Sequence, residues 1–444
     1  MRAALSLSWR LRRAGAGEDR VPGVLAIVSF AVATASLLVC VAGLTAFEAR
    51  NTTPPGARVG GLAIDAAAIG DLYVTLAWIA TTCMVIPILT LGGVAARLAI
   101  ARRDQRLAAL RLAGGTTGQV TLMTLAEAAA QALVGALVGV VLYVAVLPLV
   151  ARLTFQGRAF DLGELLLPLW KTGLVVAAVV VVAVLSGASS LARVAVSPLG
   201  VAARTSPKRL SLLRLLAAAA AGAAWVLVIT PMKEPDRVVI VLVLGAMILA
   251  LNAVGPWIVM VAGRLAARVA PTATTLLAAR RIVDDPKSTW RAVGALGLAV
   301  VVTGFTSLTV VDDPAPGLEQ YLAADLGTGA FVTLAIITVV GATSTGVVQA
   351  ARVLDQRDQY RALALAGTGQ RALHRARALE VALPLAVTIA LSAGFVLVLV
   401  LPFSSHLDSV LVVRFVVTSV LAGGVVLASV LASRSLVRTA SRVA

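Results

Sequence analysis

The sequence predicts an all-α, polytopic membrane protein of about ten transmembrane helices, with two pseudo-repeated four-helix halves joined by two linking helices and both termini cytoplasmic. Three observations predict it. Of 444 residues, 59% are hydrophobic and 13% charged, and mean hydropathy is +0.97, whereas soluble domains run at about 45–50% apolar and about 25% charged. Ten apolar segments are long enough to cross about 30 Å of hydrocarbon as helices. A loop pattern from the first part of the chain also returns in the last part.

The ten segments are Val21 to Phe47, Leu72 to Ala95, Val120 to Val150, Thr172 to Ala192, Leu212 to Ile229, Val238 to Val261, Val293 to Val311, Gly327 to Val348, Leu379 to Leu401 and Val410 to Leu431. The first follows a basic tail with Arg10, Arg12 and Arg13, and its length reads as a retained span rather than a cleaved signal. With the N-terminus inside, 30 of the 38 Lys and Arg fall on the tail, inner loops and C-terminus, as the positive-inside rule requires. The net charge of +17 is therefore a topology signal, and no basic patch with interleaved aromatics points to nucleic acid. Trp170, Trp257 and Trp290 sit near segment ends, where interfacial anchoring is expected.

Outer connections are short. Glu48 to Gly70, rich in Gly, Pro and Thr, and Asp312 to Leu326 are the longest, and neither can bury a core of its own. The chain divides into a cytoplasmic basic amphipathic tail (1–20), a first four-helix half (21–195), an inner loop with two linking helices (196–262) and a second four-helix half (263–444).

The repeat lies in two inner loops. Arg103-Asp104-Gln105-Arg106, then Leu110-Arg111-Leu112-Ala113-Gly114, precede Glu127 by thirteen residues from the glycine. Arg357-Asp358-Gln359-Tyr360-Arg361, then Leu363-Ala364-Leu365-Ala366-Gly367, precede Glu380 by the same interval, at an offset of 253 with one single-residue slip. Repeats of this size in transporters mark halves that face each other across a pathway. Leu107, Leu110 and Ala113 recur at helical spacing and Gly114 stands where a helix would stop, which predicts a short amphipathic helix. Such a helix either rests in lipid headgroups or docks into a soluble partner. Glu127 and Glu380, near the inner starts of the third and ninth spans, read as conformational braces paired with Arg371, Arg375 or loop arginines; proton coupling through them is the alternative.

The sequence lacks the motifs of most chemistry. There is no phosphate-cradling Gly-x-x-x-x-Gly-Lys-Ser/Thr, no Gly-x-Ser-x-Gly, no His-Glu-x-x-His and no Cys/His cluster, so neither catalytic nor metal-ligating residues are assigned and the chain is read as no enzyme. Cys40 and Cys83 both lie in apolar stretches and indicate no disulfide framework. Gly135 and Gly139 form a Gly-x-x-x-Gly in the third span, expected to serve ordinary helix packing.

Residues 103–115 with Glu127, the Ser197-Pro198-Leu199 segment, and Leu277-Ala278-Ala279-Arg280-Arg281 through Asp285-Pro286 resemble the FtsX-like (MacB-type) ABC transporter permeases. The ten-span plan is similar to their bacitracin-resistance-type branch, without the large extracellular domain many members carry. The resemblance implies a bacterial plasma-membrane permease without its own cofactor, driven by separate ATPase subunits that bind the ATP. It assigns ATPase coupling to Arg103, Asp104, Arg106, Leu110 and Gly114 and to Arg357, Asp358, Arg361, Leu363 and Gly367. The expected substrate is an amphiphile such as a lipid, peptide antibiotic or hydrophobic drug, exported or extracted. The repeat favours a single-chain pseudo-dimer carrying two ATPase copies over a homodimer. The alternatives are a proton-coupled secondary transporter and a non-transporting signalling or scaffold partner of an ATPase.

Overall fold

The structure, a computed structural model, describes residues 20–51, 58–59, 62–63, 66–101, 116–195, 212–229, 231–232, 236–309, 318–355, 370–400, 413 and 416–417. The elements in chain order are α1 (Arg20–Arg50), β1 (Arg58–Val59), β2 (Leu62–Ala63), α2 (Ala66–Ala101), α3 (Thr117–Val150), β3 (Thr154–Phe155), β4 (Arg158–Ala159), α4 (Leu162–Leu165), α5 (Leu169–Ala195), α6 (Leu212–Ile229), α7 (Arg237–Arg268), α8 (Ala273–Asp284), α9 (Pro286–Thr309), α10 (Leu318–Asp355) and α11 (Gln370–Val400). Two antiparallel pairs, β1 with β2 and β3 with β4, interrupt the expected all-helical plan in the connections.

Seven helical stretches among the described residues are long and apolar enough to cross a membrane, in α1, α2, α3, α4–α5, α7, α10 and α11, and Leu216–Ile229 of α6 is a shorter apolar one. Each of the first nine predicted segments falls on a helix; the tenth lies almost wholly outside the described residues. Helices overrun the segments that announced them. α2 has 36 residues, about 54 Å of helix at 1.5 Å per residue, because hydropathy marks only the part facing hydrocarbon and a helix continues past it. Thr117 and Gln370, which open α3 and α11, are separated by the same 253 residues as Glu127 and Glu380.

The chain forms two compact units. The first draws on residues 1–35, 89–143 and 168–202. Within it, Ala128, Ala132 and Ala136 make a fully buried stripe of small side chains on α3, and Gly135 and Gly139 bring that helix onto α1. A Cβ at Gly135 would lie 2.6 Å from Phe30 Cβ and 2.8 Å from the Ile27 carbonyl oxygen, and one at Gly139 would lie 2.6 Å from the Ala31 carbonyl oxygen. The Gly-x-x-x-Gly pair thus packs within the chain, where small residues let backbones approach.

The second unit draws on residues 36–88, 144–167 and 203–444. In it α7 packs on α6, α8, α9 and α11, while α9 also packs on α10 and α11. Local chemistry sets the helix starts. Asp236 caps α7 by accepting from Val238 N at 2.9 Å, and Thr272 caps α8 by accepting from Thr275 N at 3.3 Å. Asp285 accepts from Ser288 N at 3.1 Å with Pro286 opening α9, which is the work of the Asp-Pro pair in the sequence.

Trp290 corrects one expectation. It is 5% exposed, packs with Val259 and Ile282 and against Leu251, Leu383, Val387 and Leu391, and donates from Nε1 to Asn252 Oδ1 at 3.2 Å. Its ring lies on the bare face of Gly255, where any Cβ would collide. The indole is a core residue with a satisfied N–H, not an interfacial anchor. Trp170, by contrast, is 67% exposed.

Candidate functional site

The most built feature of the second unit gathers residues from segment ends that the topology reading places outside. α1 ends on Phe47 and Arg50, one turn apart. Arg50 is 6% exposed, so its guanidinium must be satisfied by protein. Nε and Nη2 donate to Glu164 Oε2 at 3.2 and 2.7 Å, Nη1 donates to the Phe155 carbonyl at 3.1 Å, and Nη2 donates to the Ala159 carbonyl at 2.9 Å. The same cation sits 4.0 Å above the Phe160 ring. Glu164 also accepts from Arg158 Nη2 and from the Asp161 backbone N–H. A buried pair holds only when its other donors and lone pairs are satisfied, and this one meets that condition.

The target of Arg50 is a hairpin. Phe155 faces Arg158 across the two-residue turn Gln156-Gly157, and both turn residues have positive φ, 56° and 74°. This is the geometry of a type I′ turn, which Gly adopts freely and Gln adopts at some strain. The turn aims Gln156 N–H at Asp325 Oδ2, 2.7 Å away. Tyr73 Oη donates to the same oxygen at 2.5 Å, so α2, α10 and the hairpin meet on one carboxylate. Asp325 is 8% and Tyr73 5% exposed.

Phe47 stacks on Tyr73 at 5.8 Å between centroids and meets Phe155 and Phe160 edge-on at 5.3 and 5.4 Å. These rings line one end of a cavity of about 420 Å³. Its other walls are apolar, drawn from α1, α2, α6, α7, α9, α10 and α11, with Leu44, Met84, Trp225, Leu244 and Leu326 among them. Trp225 donates from Nε1 to the Leu399 carbonyl at 3.1 Å, which joins α6 to α11 in that wall. A chamber of this size with few convergent polar groups can hold the apolar part of a small molecule.

None of Arg50, Tyr73, Glu164 and Asp325 is among the residues the sequence singles out. Two signals were present: Phe-Gln-Gly-Arg as a hairpin turn, and Tyr73 and Asp325 at neighbouring positions under the 253-residue offset, where Leu72 aligns with Asp325 and Tyr73 with Leu326. The assigned coupling residues, Arg103, Asp104, Arg106, Leu110, Gly114, Arg357, Asp358, Arg361, Leu363 and Gly367, lie outside the described residues, as does Ser197-Pro198-Leu199. Glu127 is partly buried on α3. Glu380, on α11, forms an ion pair with Arg281 of α8 at 3.5 Å, while Arg375 is exposed. Among the described residues no group of His, Cys, Asp and Glu could hold a metal ion.

The helices define a multi-pass membrane protein. Residues 78–199 match the family model described as FtsX-like permease C-terminal. The matched stretch runs from within α2 past the end of α5 and takes in the first repeated loop and Glu127. This match supports an ABC transporter permease subunit partnered by an ATPase, and a bacterial plasma membrane fits that family. No curated protein matches the chain.

Proposed function

We propose that the chain is the membrane-spanning subunit of an ATP-driven ABC transporter of the ten-span type, and that it exports or extracts an amphiphile. The observation that carries this reading is the match of residues 78–199 to a permease domain, which includes the amphipathic loop that recurs 253 residues later. Closure of two ATPase copies on ATP would push on Leu110 and Leu363 and their neighbouring arginines, and the halves would shift between two states that bind the ATPase differently. The apolar cavity supports an amphiphilic substrate, since it offers hydrocarbon-like walls and one polar end. Glu380, paired to Arg281, is read as a brace rather than a proton carrier, and Glu127 on the equivalent turn of α3 is assigned the same role.

The test is capture of the candidate ATPase by the tagged chain in mild detergent, with and without Leu110→Asp and Leu363→Asp. Two copies bound, and lost in the double variant, is the expected result. Absence of binding, together with transport that stops when a proton gradient is collapsed in Glu127 and Glu380 wild-type protein but not for lack of ATP, would overturn it in favour of a proton-coupled carrier.

A further inference from the structure

The wall chemistry of the capped cavity discriminates among amphiphiles. We propose that it binds the alkyl chain of a hydrophobic cation, with Asp325 holding the positive head at the aromatic end. This rests on the reading of the chain as an amphiphile-handling permease and names the substrate class.

Three observations carry it. First, among the described residues that line the cavity there is no Lys, Arg or His, and Asp325 is the one acidic side chain. Second, that carboxylate has no ion-pair partner among the described residues. Oδ2 accepts from Tyr73 Oη and Gln156 N, both neutral donors, and Oδ1 accepts no hydrogen bond among the described residues. The neighbouring cation, Arg50, is committed to Glu164 and two carbonyls. Third, Asp325 is 8% exposed, and a carboxylate withdrawn from water without a counter-ion attracts a cation and repels an anion far more strongly than a solvated one. A bare metal ion does not fit, because hard cations need six or more oxygen ligands and the wall supplies a single carboxylate. A cation that brings its own hydrocarbon fills the apolar remainder and neutralises the acid in one step.

Trp225 borders the cavity and is 4% exposed, so it reports occupancy. The full chain in zwitterionic lipid discs is titrated with a terminally brominated alkyltrimethylammonium and with the terminally brominated alkyl sulfate of equal chain length. Bromine quenches indole on contact. The signal read is the fluorescence component that Trp225→Phe removes, normalised to quenching of the remaining tryptophans, which reports partition into lipid. The cation is expected to half-quench at a concentration about tenfold below the anion, as a charge-assisted contact of roughly 1.5 kcal/mol or more implies. Asp325→Asn keeps the shape and the Tyr73 and Gln156 acceptor, and should bring the two probes together. Ala330→Leu, which fills the cavity from α10, should weaken both. Equal quenching by both probes in the wild type, a preference that survives Asp325→Asn, or quenching indifferent to Ala330→Leu overturns the proposal, and the last arm stands even if the Asp325 variant does not fold. Loss of the preference with ATPase capture intact removes this inference alone; failed capture with the preference intact removes the transporter reading alone.

Discussion

Glu380 Oε2 lies 3.5 Å from Arg281 Nη1, and the two side chains keep 11% and 13% of their surface. The pair joins α11 to α8, and α8 runs into α9 through the Asp285-Pro286 cap. The glutamate stands thirteen residues beyond the second repeated loop. A displacement of α11 would therefore reach α8 across this ion pair and the packing of the two helices.

Removing one partner weakens the compensation of a largely withdrawn charge and so costs more than removing both together. Glu380→Gln and Arg281→Met are each expected to lower the unfolding temperature in detergent, and the double variant is expected to fall short of their sum by a coupling of about 1–3 kcal/mol. Chemical denaturation of the three variants measures it. Strict additivity would show that the two groups do not act on each other.

Arg50 is predicted to hold the 154–159 hairpin as a fork, not as a charge. Its three nitrogens serve two carbonyls and Glu164, and a lysine ammonium cannot reach those acceptors from one point. Arg50→Lys should therefore resemble Arg50→Ala, with backbone hydrogen exchange rising across residues 152–166 while exchange in α9 and α11 stays unchanged. Full protection of the hairpin in the lysine variant would make charge alone sufficient.

The legible part of the fold is the part governed by hydrocarbon: apolar runs of about 20 residues locate nine helices among the described residues, since a helix satisfies its own backbone in lipid within one segment. Contacts between distant segments were not legible. Trp290 stands near a segment end, where interfacial anchoring is expected, yet Gly255 on another helix opens a seat for its ring. Asp325 read as loop because it is charged, yet α10 begins at Leu318 and the Gln156 turn supplies a donor to the acid. The hairpin of 154–159 is not legible in the sequence because two-residue strands carry no periodicity. Glu380 stood out from sequence because a carboxylate beside an apolar run is rare, but its partner Arg281, 99 positions away, could be named only from the packing.

The glycines of α3 give a prediction whose sign reverses along the chain. A Cβ on Gly139 meets the Ala31 carbonyl oxygen at 2.6 Å and Thr34 Cβ at 2.7 Å, atoms of a helix backbone and of a branched side chain that cannot swing away. Gly173, inside α5, has nothing within 4 Å of the same added carbon. Alanine at 139 must push α1 outward, and overpacking of this kind costs about 1–3 kcal/mol. Alanine at 173 gains the helix preference of alanine over glycine, up to about 1 kcal/mol, with no steric charge against it. Thermal unfolding of the two variants in one detergent should move in opposite directions, Gly139→Ala downward and Gly173→Ala level or upward. A Gly139→Ala protein as stable as the wild type would mean that α1 and α3 are not held at the separation seen here.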